Sequence, residues 1–78
     1  MAKKVYDKVS VHLSYYDFEG GFWGMTDKNG NQWLPLNLDD AWISLGNIEV
    51  VVSFVVDENI FSLVNWGTPV MISAIKHP

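Results

Sequence analysis

The stretch EGGFWGMTDKNGNQWLPLNL, residues 19–38, decides the fold. Gly20, Gly21 and Gly24 open it, and Asn29-Gly30 separates two short aromatic runs, residues 22–26 and 32–36. Asn-Gly tolerates the positive φ that tight hairpin turns demand, so the two runs pair as antiparallel strands. A two-residue Asn29-Gly30 turn sets Met25 opposite Leu34; a three-residue Lys28-Asn29-Gly30 loop ending in a glycine bulge sets Met25 opposite Trp33. One residue of slip exchanges the faces. We prefer the second register, which gathers Trp23, Met25 and Trp33 on one face and Phe22, Leu34 and Leu36 on the other. Both faces then carry large apolar groups, and one of them has to be covered by something outside this sheet.

Upstream, residues 8–16 alternate, with Val9, Val11, Leu13 and Tyr15 on one side and Lys8, Ser10, His12, Ser14 and Tyr16 on the other, the period of a half-buried strand. Downstream, Leu38, Trp42 and Leu45 recur at helical spacing. Asn37 and Asp39 are candidate N-caps and Gly46 stands where a glycine would end the helix, which predicts one or two turns over about residues 39–45. Residues 48–56 form a Val-, Ile- and Phe-rich strand, Asp57-Glu58-Asn59 a turn, and residues 60–66 a second apolar strand. Pro69 cannot donate a ladder hydrogen bond, so Gly67-Thr68-Pro69 marks a bulge, corner or edge before residues 70–75 resume. Three meandering strands, a short helix, a hairpin and a terminal strand make a single all-β domain, a small five- to six-stranded OB-like barrel with its helix between strands three and four. The alternative is an SH3-like barrel, which would give Trp42 no purpose.

The segments Gly20-Gly21-Phe22-Trp23-Gly24, Leu34-Pro35 with Asn37-Leu38, and Trp66-Gly67-Thr68-Pro69-Val70 together resemble a family of small uncharacterised bacterial and archaeal proteins with an OB-like barrel. The likeness covers about residues 19–75. Members usually place a proline after the Asn-Leu pair and Asp-Gly before the fourth strand, where this chain has Asp39 and Leu45-Gly46-Asn47. The resemblance implies the barrel and no functional residue.

With 78 residues the chain forms one domain, and a chain of this size buries only roughly 60–65% of its unfolded surface. Four Trp, four Phe and three Tyr supply the dense core that requires. There is no cysteine, which fits a reducing compartment. Charges at Lys3, Lys4, Asp7 and Lys8 interrupt any signal-like run, and the longest apolar stretch is far short of the roughly 20 residues a membrane helix needs. The expectation is a cytoplasmic protein with no membrane association. All five basic residues are lysine against nine carboxylates, a net charge of −4, which removes the phosphate-neutralising term on which nucleic-acid affinity depends.

No constellation of residues points to catalysis, a cofactor or a metal. His12 and His77 have no nucleophile at a recognisable spacing, and Asp39-Asp40 is explained by helix capping. Residues 27–31 lack the glutamate that closes a calcium loop. The chain therefore reads as a non-enzymatic interaction module, most simply a homo-oligomer such as a dimer, or else one that docks on a protein partner. The interface expected is the outer face of the hairpin of residues 48–66. With a three-residue loop its outer residues are Val51, Val55, Phe61 and Leu63; with a two-residue loop Val51 and Val55 are joined by Ile60, Val64 and Trp66. The alternative is ligand binding, to single-stranded nucleic acid or an oligosaccharide, by stacking on Trp23 and Trp33 of the second and third strands.

Overall fold

A computed structural model describes residues 3–78. Five strands close into a barrel in the order β1-β2-β3-β5-β4: β1 is Lys3–Tyr16, β2 Phe22–Asp27, β3 Gln32–Pro35, β4 Ile48–Asp57 and β5 Thr68–Lys76. The single helix among the described residues, α1, spans Asp40–Ile43 between β3 and β4, as the OB-like reading requires. All pairings are antiparallel except β3 with β5. Alternation sends Val11, Leu13, Met25, Trp33, Val50, Val52, Phe54 and Val70 inward to form the core.

The hairpin takes the three-residue loop. Met25 faces Trp33, Gly30 has φ +85°, and the Gly30 N–H donates to the Asp27 carbonyl at 3.0 Å. Asp39 caps α1 by accepting from the Ala41 N–H at 3.1 Å, and Gly46, with φ +83°, donates to the Ile43 carbonyl at 3.1 Å, so the expected stop signal operates. Leu38 and Trp42 pack against the core, which gives Trp42 the role an SH3-like reading denied it.

Two expectations need correction. β1 begins at Lys3 rather than Lys8, because the ten-residue β4 offers it a partner as far as Asp57. Residues 60–66 are not a strand: after the Asp57 turn the chain leaves the sheet, and β4 pairs instead with β5. The turn itself forms, with the Ile60 N–H donating to the Asp57 carbonyl at 2.9 Å. Residues 58–67 then run as a loop to the outer surface of β2, where the Trp66 ring meets Tyr16 and Phe22 at centroid distances of 4.8 and 5.4 Å. This is the cover that the outward face of β2 needed.

Both neighbours of β4 bulge at Ser53. On β1, Asp7 and Lys8 together oppose it, and on β5 Ser73 is the extra residue beside the Ser53–Ala74 pair. An extra residue bends its strand and sharpens the local twist, which helps a five-stranded sheet to close. Ser53 also fastens the β1 bulge: its Oγ accepts from the Lys8 N–H at 3.1 Å and donates to Asp7 Oδ1 at 2.8 Å.

Candidate interaction surfaces

Alternation along β4 turns Val50, Val52 and Phe54 inward and Val51, Ser53 and Val55 outward. Val55 lies directly opposite Val5 of β1 and Met71 of β5, so the three form a row across adjacent strands on the outside of the barrel. Val5 is 66% and Met71 39% exposed. Val51 lies outward nearby, between Ser10 and Lys76. Val5 and Met71 thus belong to the candidate surface although sequence reasoning missed them. Only the non-local pairing with Val55 brings them together, and Val5 sits among charges that hid its strand.

Phe61 and Leu63, expected beside Val51 and Val55, are elsewhere, in the loop that follows β4. They are 77% and 95% exposed. The loop that carries them is anchored. Trp66 is seated on β2, and the Asn65 N–H donates to Glu19 Oε1 at 3.3 Å. The hydrophobic set expected as one patch is therefore two, a sheet wall and a loop tip.

The proposed stacking residues do not form a platform. Trp33 is 8% exposed and packs inside the barrel against Phe54 and Tyr6, its ring tilted to both at centroid distances of 4.9 and 5.0 Å. Trp23 is half-buried against the core, with Tyr15 5.4 Å away. On the outside of the same strands the available surface is taken by Trp66 with Tyr16, Phe18 and Phe22.

The polar features are structural in their geometry. Asp27 Oδ1 accepts from the Asn29 and Asn31 N–H groups at 2.9 and 3.0 Å, and Oδ2 from Asn31 Nδ2 and the Trp33 indole at 3.0 and 3.3 Å. Partial burial pushes this carboxyl up, but the bonds from Asn31, Trp33 and Asn29 together hold it below its ordinary value. The carboxylate is thus used in closing the turn. His12 Nδ1 meets Glu49 Oε2 at 2.5 Å across β1 and β4, with both side chains about half or more exposed, at 48% and 62%. A contact so open to solvent contributes little stability. Among the described residues no three His, Asp or Glu side chains converge as a metal set, and no helix is long and apolar enough to cross a membrane.

Comparison of the chain with protein-family models, curated proteins and solved structures finds no match in any of the three. The functional reading accordingly stands on the surfaces alone.

Proposed function

We propose that this chain is a non-enzymatic interaction module that self-associates through apolar side chains on the outside of its barrel. The observation that supports it is the Val5–Val55–Met71 row, extended by Val51, on the wall of β1, β4 and β5. A small domain gains nothing for its own core from side chains that point away from it, and clustered apolar surface of this kind is the usual signature of an interface. Covering it contributes on the order of several kcal/mol at ~25 cal/mol per Å², before the cost of association. Absent cysteine suits work in the cytoplasm.

Sedimentation tests this reading. The wild type should associate at high micromolar concentration, and a Val51→Lys, Val55→Lys variant should be monomeric while keeping its folded near-ultraviolet dichroism. A wild type that remains monomeric at those concentrations would overturn self-association.

A further inference from the structure

β1 outruns one of its two neighbours. β4 pairs with it from Lys3 to Leu13, whereas β2 pairs with it only from Val11 to Tyr16. The Asp27–Asn29 turn lies beside residues 8–10. On the side away from β4, residues 3–7 therefore have no strand beside them, and among the described residues no turn or loop backbone group bonds to them there. Such a row of open amides and carbonyls is a template for another strand. The matching stretch of β5 is closed: Asn37 occupies the edge at Ile72, and His77, just past the strand, packs on Trp42 of α1 at a centroid distance of 4.7 Å.

We propose that two copies pair through this edge, residues 3–7 of β1 running antiparallel to the same residues of the other copy, with Val5 opposite Val5 on a two-fold axis. This rests on the self-association reading and supplies its symmetry. Residues directly opposite one another share a face of the sheet, so the axis has to pass through a residue, and the sequence selects which. Centring on Lys3, Lys4 or Asp7 opposes like charges at the axis, and centring on Tyr6 sets Lys4 against Lys8. Centring on Val5 sets Lys3 against Asp7 twice, and Lys4 against Tyr6, a ring that Lys4 Nζ already approaches within its own chain at 5.0 Å. It also joins the outward Met71–Val55–Val5 row of one copy end to end with that of the other. Lysines and a bulge, here at Asp7 and Lys8, keep an edge from adding strands without limit. In this chain they bar the other registers and confine pairing to one short segment, so the assembly closes at the dimer.

The chain has no cysteine, so Val5→Cys introduces a single thiol. Directly opposite residues of antiparallel strands stand roughly 4.5–5.5 Å apart at Cα, within disulfide reach. Under mild oxidation Val5→Cys should give a covalent dimer much faster than Leu63→Cys, although Leu63 is the more exposed side chain, at 95% against 66%. Equal rates, or a wild type that sediments beyond the dimer, overturn the edge pairing. Charge exchange tests the register without a cross-link. Lys3→Asp and Asp7→Lys should each weaken association at least several-fold, since either opposes like charges twice. An equimolar mixture of the two folded variants should recover wild-type association, because every opposed pair is then of opposite sign. A mixture no stronger than its components overturns the register. Val5→Cys failing to cross-link while the wild type dimerises removes this geometry alone; a monomeric wild type removes self-association and the edge pairing with it.

Discussion

The Trp66 indole lies on Gly24 of β2, in the space that any side chain there would occupy. A Cβ placed on Gly24 would stand 2.5 Å from both Cη2 and Cζ3 of the ring, and 3.0 Å from Tyr16 Cε2. The glycine is a seat for the ring, and the ring in turn covers a stretch of strand with no side chain of its own. Through this contact the 58–67 loop is fixed and its tip presented.

Gly24→Ala should therefore destabilise the fold by about 1–3 kcal/mol, the usual cost of forcing a methyl group into packed space. Trp66→Ala should cost about 2–3 kcal/mol from lost burial of part of a large aromatic. The two effects should not add. With the ring gone, Gly24→Ala meets far less resistance, and urea denaturation of the four members of the cycle should show a coupling of about 1 kcal/mol or more. Additive losses would mean that the ring does not rest on Gly24.

Much of the barrel was legible from local pattern. The alternation of Val9, Val11 and Leu13, the Asn29-Gly30 turn with its Met25–Trp33 register, and the Asp39 cap with Gly46 as the stop are all set by residues within a turn or two of one another. Residues 60–66 misled because their apolar content suits a strand, whereas their fate depends on Gly24, some 40 positions away. The sign was present in a small way: a glycine in β2 next to an outward Phe22 leaves room for one large ring, and Trp66 is the one that arrives. The candidate surface was half legible for the same reason. Val51 and Val55 face outward from alternation alone, but Val5 and Met71 join them only through strand pairing.

Lys8 adopts φ +53° in the β1 bulge, a left-handed conformation that crowds a Cβ. Lys8→Gly should relieve that crowding and still let the N–H donate to Ser53 Oγ. We expect a gain of about 0.5–1 kcal/mol in unfolding free energy, read as a higher urea midpoint at unchanged m-value. Lys8→Val, β-branched at the same φ, should lower the midpoint.

Asp27 gives the fold a component of acid sensitivity. Its carboxyl titrates below the ordinary value of 3.8, so the folded state prefers the ionised form. That contribution is complete above the ordinary value and is lost as pH falls through the lower folded value. Asp27→Asn should be less stable than wild type near neutrality, and the difference should shrink between about pH 5 and pH 2 as the wild-type carboxyl protonates. Thermal melts across that range provide the measurement, and a constant difference would show that the charge of Asp27 is not what the turn uses.

Asn37, read from sequence as a possible cap for α1, takes a different part. Its Oδ1 accepts from the Ile72 N–H at 2.8 Å and its Nδ2 donates to the Ile72 carbonyl at 2.9 Å. One position earlier, the Leu36 N–H donates to the Val70 carbonyl at 3.0 Å. The carboxamide therefore extends the parallel β3–β5 ladder by one step after the backbone has turned towards α1, offering the donor and acceptor that a strand residue would have supplied. Asn37→Ala leaves both Ile72 groups to solvent and should cost about 1–2 kcal/mol. Asn37→Asp keeps the acceptor but replaces the donor with a second oxygen facing a carbonyl, so it should be no better than alanine above pH 5. Asn37→Gln, one methylene longer, should fall between alanine and wild type. Amide hydrogen exchange at Ile72 separates this role from general destabilisation: its protection should fall further than that of Val52 in the core of β4, and parallel losses at both positions would mean that Asn37 is not closing the ladder.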